Sequence, residues 1–253
     1  MKSTSLRLLL FNIAYGTGPL RGPYHNIVSA YRYLRSDRHH IEDICEYVEE
    51  LAPDIAGLVE VERGSVRNGR QDQVALIARA LSHHFSYDCK YGRNSFYRLL
   101  PILGQQGNVV LAKEAPVHQD QHFFPVGTKR LVMEAHVLGL RIILVHLAVT
   151  RRVRRRQIKM LHSIIGEPGE QPTILAGDFN VFGGAAELAE LMAYTGLRTL
   201  NEGHVATYPA YAPRKELDFV LCSPHVGVNG FWVDTSCCLS DHLPLIADLE
   251  VMA

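Results

Sequence analysis

Thr173-Ile174-Leu175-Ala176-Gly177-Asp178-Phe179-Asn180 is the stretch that organises the whole sequence. Its apolar run is too short for a helix and reads as a buried strand, which stops at a glycine and delivers two polar side chains to the strand end. Working upstream, Pro168 and Gly169 break a helix over about Arg151 to Ile165, and before that helix come strands at Leu131 to Leu138 and Arg141 to Leu147. Working downstream, Ala185 to Tyr194 reads as a helix, Leu217 to Cys222 and Gly230 to Asp234 as strands, and Leu243 to Val251 as a closing core strand. The first half repeats the style. Leu6 to Ile13 is a strand; Ile41, Ile44, Cys45, Val48 and Leu51 fall at helical spacing up to Pro53; and Asp54 to Val61 is a second strand. A helix around Val74 to Leu81 and strands at Phe85 to Tyr91 and Gly107 to Ala112 complete it. Two strand-rich halves of similar size imply two packed sheets with helices outside.

The 253 residues, with 47% hydrophobic and 21% charged, can bury a full core without metal or disulfide staples, so a metal here would serve chemistry. One catalytic domain over residues 1–253 is expected. Lys plus Arg and Asp plus Glu both total 26, so the overall field selects neither nucleic acid nor an anionic membrane. No apolar run reaches the roughly 18 residues of a membrane span, and Arg7 splits the Leu-rich opening that would otherwise resemble a signal peptide. Five cysteines, odd in number and without a Cys-x-x-Cys pair, signal neither a disulfide framework nor a zinc site and suit a reducing cytoplasm. No obligate protein partner is evident.

Polar residues recur where apolar strands run out: Asn12, Glu60, Asn108, His146, Asp178, Asn180, Asp218 and the pair Asp241-His242. Each alone has an ordinary explanation as a turn former or a hydrogen-bonded core group. Together they are harder to dismiss, because buried carboxylates are costly unless a cation or donor accompanies them. Oxygen donors at Asn12, Glu60 and Asp241, with no thiolate cluster, favour a hard cation, Mg²⁺ before Mn²⁺, and reaction at phosphorus.

The blocks Phe11-Asn12-Ile13, Val59-Glu60-Val61, Gly107-Asn108-Val109, Val145-His146-Leu147, Arg154-x-x-Gln157, Gly177-Asp178-Phe179-Asn180, Leu217-Asp218-Phe219 and Ser240-Asp241-His242-Leu243-Pro244 occur in this order. In that order they resemble the endonuclease/exonuclease/phosphatase superfamily, from about residue 6 to residue 250. The resemblance implies an α/β fold, a four-layer α/β sandwich of two central, mostly antiparallel sheets flanked by helices, with the active site at one sheet edge. It implies Glu60 as the main metal ligand beside Asn12 and Asp241, and Asp178 as the group that orients or deprotonates the attacking water, with Asn180 as its partner. His242, kept cationic by Asp218, would contact the reacting phosphate; His146 would be a second phosphate contact or leaving-group acid, and Asn108 an amide of the phosphate pocket. The implied activity is Mg²⁺-dependent phosphoester hydrolysis, with nucleic acid, or a phospholipid or other small phosphoester, as substrate partner. A catalytically silent binding protein of the same fold is the competing class.

Relatives usually carry Gln before the metal-binding Glu, where this chain has Val59, and Glu62 offers a second carboxylate. Strand alternation puts Glu60 and Glu62 on one face; the Asp54-Ile55-x-x-Leu58 lead-in selects Glu60 and leaves Glu62 as a solvated loop residue. Arg151, Arg152, Arg154, Arg155 and Arg156 must spread around a helix, one packing inward with Gln157 and the rest reading first as a solvated face and second as a phosphate-binding patch close to His146. Thr207-Tyr208-Pro209, the loop Gly92 to Gln106 and the stretch Tyr15 to His40 are the expected cleft walls.

Overall fold

The computed structural model describes residues 3–18 and 38–252, so the part of the Tyr15 to His40 stretch at 19–37 lies outside the described residues. Among them, twelve strands form two six-stranded sheets. The first runs β11-β12-β1-β2-β4-β3, with β1 Ser3–Asn12, β2 Ile55–Glu62, β3 His84–Cys89, β4 Gln106–Ala112, β11 Val226–Val233 and β12 Leu245–Met252. The second runs β5-β6-β7-β8-β10-β9, with β5 His118–Phe123, β6 Leu131–Val137, β7 Leu140–His146, β8 Thr173–Asp178, β9 Arg198–Thr199 and β10 Asp218–Cys222. In each sheet one central pair is parallel, β1/β2 and β7/β8, and every other pairing is antiparallel. The mostly antiparallel four-layer sandwich expected from the sequence is the fold observed.

The central strands read as unbroken apolar runs because both faces are covered. Leu6, Leu8 and Leu10 of β1 point between the sheets, against Met133, Leu144, Ala176 and Val220 of the other sheet. Leu9 and Phe11, one residue out of phase, point under helices α1 (Arg38–Leu51) and α2 (Gln73–Leu81). On the far side, Ile143, Val145, Leu175 and Phe219 pack under α3 (Arg151–Ile165) and α4 (Ala189–Thr195). The α2 start is capped by Asp72, whose side chain accepts from the Ala75 N–H at 3.1 Å. The buried face of α3 is Arg154, Gln157, Ile158, Leu161 and Ile165, the helical spacing anticipated, with one arginine inward.

The structure adds β5 and β9 to the strands expected. β5, His-Gln-Asp-Gln-His-Phe, is an edge strand with no fully buried residue, so it lacks an apolar signature. β11 begins at Val226 rather than Gly230, past a register shift between Val228 and Gly230. The expected helix Ala185 to Tyr194 is a single 3₁₀ turn, Ala185–Leu188, that leads into α4. No helix among the described residues is long and apolar enough to cross a membrane.

Candidate active site

The two parallel pairs place the ends of β1, β2, β7 and β8 at the same rim of the sandwich. Across the second sheet His146, Asp178 and Asp218 form one rung, since Asp178 is the register partner of both neighbours. Asn12, last residue of β1, reaches across from the other sheet and donates its side-chain amide to Asp178 Oδ2 at 3.2 Å. Asp178 Oδ2 also lies 3.3 Å from His146 Nε2 and 3.9 Å from His242 Nε2, so three polar groups converge on one oxygen. The other oxygen accepts from the Asn180 backbone N–H at 2.9 Å, which closes the turn after β8 with Asn180 at φ 52°. The Asn180 amide donates to the Leu147 carbonyl at 3.0 Å, tying that turn to the end of β7.

Asp218 accepts from His242 Nδ1 at 2.7 Å and from the Thr207 hydroxyl at 2.6 Å; Thr207 Oγ1 in turn accepts from the backbone N–H groups of Leu217 and Asp218. Burial alone would strip the proton from His242, but the Asp218 charge and hydrogen bond, with Asp178 and Asp241 adding, hold its pKa up at about 10. His242 is therefore a buried imidazolium. His146 shifts the other way, lowered by burial and by the nearby Lys129 ammonium, and its Nδ1 has no hydrogen-bond partner among the described residues. Asp178 is held below the ordinary carboxyl range: burial opposes this, and the His146 hydrogen bond and the surrounding positive charge outweigh it.

Glu60 reaches the rim through a backbone irregularity. It is the extra residue of a bulge between Val59, opposite Asn108, and Val61, opposite Gly107, and it sits at φ 57° with its N–H on Asn108 Oδ1 at 3.4 Å. The bulge flips the strand's phase: Val59 faces the space between the sheets, whereas Val61 faces the helices. This overturns the alternation that put Glu60 and Glu62 on one face. It also corrects Glu62, which is not a solvated loop residue but fully buried, its two oxygens accepting from Arg67 Nε at 3.0 and 2.9 Å.

The Glu60 carboxylate is 3.7 Å from His146 Nε2 and 3.5 Å from Lys129 Nζ, and the Lys129 ammonium rests against the same His146 nitrogen. Burial pushes the Glu60 pKa up, but Lys129, His146 and Lys90 bring it below its ordinary value. Asp241 moves up, because of burial first and with the Glu60 charge adding; its Oδ1 lies 3.3 Å from Ser240 Oγ, which also donates to the Asn12 carbonyl at 2.7 Å. Two half-buried carboxylates close enough to interact, with an ammonium beside Glu60, suit a hard cation, so Asn12, Glu60 and Asp241 have the donor chemistry of a divalent-metal site such as Mg²⁺ or Mn²⁺ takes. Asp178, Asp218 and His242 also bring ligand atoms within 4.8 Å of one another. An imidazolium engaged by two carboxylates has no lone pair to offer, which makes that grouping an ion-pair network.

All nine residues singled out from the sequence stand at this rim, Asn108 by its bond to the Glu60 backbone and with its Nδ2 buried and unpartnered among the described residues. Three others belong to it to which the sequence assigned no chemical role. Lys129 precedes β6 with no recognisable motif around it; Lys90, its pKa lowered to about 8 by burial, follows β3 and donates to the Tyr15 hydroxyl at 2.6 Å; Thr207 orients Asp218. The Thr207-Tyr208-Pro209 segment does line the site, with the Tyr208 ring 4.8 Å from His242 and 6.4 Å from Phe182.

A family model described as the Endonuclease/Exonuclease/phosphatase family matches residues 9–242. Among solved structures, an endonuclease/exonuclease/phosphatase from Beutenbergia cavernae is 20% identical with a TM-score of 0.71, covering 98% of this chain and 72% of that one. A family protein from Bacteroides thetaiotaomicron is 15% identical with a TM-score of 0.68 and full coverage, 100% of both chains. D. rerio TDP2, solved with a single-strand DNA product, is 17% identical with a TM-score of 0.67 over 97% of this chain and 99% of that one. Comparison with curated proteins returned no significant match. With a match over nearly its full length and the rim just described, this chain belongs to the endonuclease/exonuclease/phosphatase family.

Proposed function

We propose that this protein is a Mg²⁺-dependent phosphoesterase, with Mn²⁺ as an alternative ion, that hydrolyses a phosphodiester in the manner of a nuclease. The observation that carries the reading is the convergence on Asp178 Oδ2 of the Asn12 amide, His146 and the His242 imidazolium. A carboxylate kept ionised at neutral pH beside a fixed cation is suited to hold and deprotonate a water while the cation receives the developing phosphoryl charge. Asp178 is the base or water-orienting group, and Asn180 stiffens its turn and faces the phosphate. His242, locked by Asp218, binds a non-bridging oxygen; His146, which its lowered pKa leaves neutral, and the amide of Asn108 supply further phosphate contacts. Asn12, Glu60 and Asp241 hold the metal, which when bound supplies Lewis-acid stabilisation of the phosphoryl oxygen. The water attacks in line with the leaving oxygen, and the proton it loses passes to Asp178.

A lipid-headgroup or other small phosphoester is the second reading, supported by the balance of 26 acidic and 26 basic residues, which gives no broad basic footprint. The test is hydrolysis of bis-p-nitrophenyl phosphate, single- and double-stranded DNA, RNA, sphingomyelin and phosphoinositides with Mg²⁺, Mn²⁺ or EDTA. Chelator-sensitive turnover is expected, and Asp178→Asn and His242→Ala are each expected to lower kcat by roughly a thousandfold or more with the fold retained by circular dichroism, His242→Ala melting lower because the buried Asp218 loses its partner. Turnover retained in both variants would falsify the assignment.

A further inference from the structure

The exposed face of α3 is where the chain's balanced charge becomes locally one-sided. Arg154 is drawn inward, donating to the carbonyls of Ala148 and Val149 at 3.1 and 2.6 Å and pairing with Glu187 at 3.0 Å, so the first turn of α3 is pinned to the segment that follows His146. Arg151, Arg152, Arg155, Arg156 and Lys159 are left outward and exposed, and among the described residues none of these five is in an ion pair. Arg151, Arg155 and Lys159 recur every fourth residue, a single stripe whose members stand about 6 Å apart along the axis.

That stripe does not face open solvent alone. With Gly183, Ala186 and Glu187 it lines a concavity of about 260 Å³. Gly183 is three residues beyond Asn180, and Phe182 between them carries an aromatic face 38% exposed and in contact with Tyr208. The concavity therefore borders the segment that follows Asn180. Of its two acids, Glu187 is already neutralised by Arg154 and by the Gly183 N–H, which leaves Glu190 as the one uncommitted countercharge among the lining residues.

Resting on the phosphoesterase reading above, we propose that the Arg151–Arg155–Lys159 stripe is a binding track for the successive phosphates of a single nucleic-acid strand whose reacting phosphate lies at Asp178 and His242. The regular axial spacing suits a repeating anion, and the exposed Phe182 ring at the junction, backed by the half-buried Tyr208, suits stacking of a base. The cations border a concavity rather than ring an apolar face, which favours a strand over a lipid surface.

The test is fluorescence anisotropy of a short labelled single-stranded oligonucleotide across a salt series. The triple variant Arg151→Gln/Arg155→Gln/Lys159→Gln should bind at least tenfold more weakly, with a salt slope shallower by about 2, since each phosphate no longer neutralised takes about 0.7 from the slope on a single strand. Glu190→Gln should bind two- to threefold more tightly. A control triple at the far end of the sandwich, Arg79→Gln/Lys113→Gln/Arg198→Gln, removes the same charge and should bind like the wild type. The track is overturned if the α3 triple keeps wild-type affinity and slope, if both triples weaken alike, or if the wild type binds phosphatidylserine vesicles and not the oligonucleotide. Wild-type hydrolysis of bis-p-nitrophenyl phosphate, run alongside, reports separately on the phosphoesterase reading: its failure with strand binding intact sinks that reading and leaves the track standing.

Discussion

Thr207 is the residue whose small size conceals most of its work. Its hydroxyl proton goes to Asp218 and its oxygen takes two backbone N–H groups, so the carboxylate that keeps His242 charged is itself held in one rotamer. Thr207→Val keeps the shape and removes all three bonds; kcat on a phosphodiester should fall about tenfold or more while KM changes little, and steady-state kinetics read the split. Glu134 makes a comparable point away from the site. Burial would raise its pKa, yet Arg141, in two hydrogen bonds, with His136 and His122, brings it down from 4.5 to about 2. Because the folded-state value lies below the unfolded one, its stabilisation is complete above about pH 5 and is lost as pH falls towards 2. The melting-temperature gap between wild type and Glu134→Gln should therefore be flat from neutral pH down to about pH 5 and then close. A gap that persists unchanged at pH 3 would contradict the ion-pair account.

At the scale of elements, β8 explains why its motif begins with glycine. Gly177 has φ 151°, and a Cβ there would come within 1.9 Å of the Val145 carbonyl oxygen on β7. The parallel β7/β8 pair that sets His146 beside Asp178 thus needs a residue without a side chain one step before the carboxylate. Gly177→Ala should lose more than about 2 kcal/mol in denaturant unfolding. β2 shows the limit of pattern reading, since its bulge at Glu60 changes which face every later residue occupies. Nothing in Leu58-Val59-Glu60-Val61-Glu62 marks that bulge, because its cause is the partner strand: Asn108 Oδ1 receives the Glu60 N–H.

For the whole molecule, the rim works only while the sheets hold their spacing, because Asn12 on one and Asp178 on the other must stay in contact. Leu144 sits fully buried between them, and a Cβ on Gly57 of the facing sheet would meet its Cδ1 at 3.0 Å. Leu144→Ala should cost about 2–5 kcal/mol by opening a cavity. Gly57→Ala should be destabilising in the wild type and less so, or stabilising, in the Leu144→Ala background, where the added methyl fills vacated space. Urea unfolding of the four proteins measures the coupling; additive effects would mean that the sheets shift apart rather than pack.

Sequence alone determined the strands that are apolar on both faces, the helices between them and the polar groups at their ends, because those signals have periods of 2 and 3.6 residues and stand within a few positions of one another. The nine residues of the rim were legible for that reason, as was the inward-facing arginine of α3. Tertiary structure decided which neighbours they have. Asn12 and Asp178 are 166 residues apart in the chain and 3.2 Å apart in space; the burial of Glu62 away from the rim came with a bulge set by β4; and Lys129 entered through a loop with no pattern of its own. Contacts of that kind depend on register and sheet packing, which are properties of pairs of segments, and no local stretch of sequence carries them.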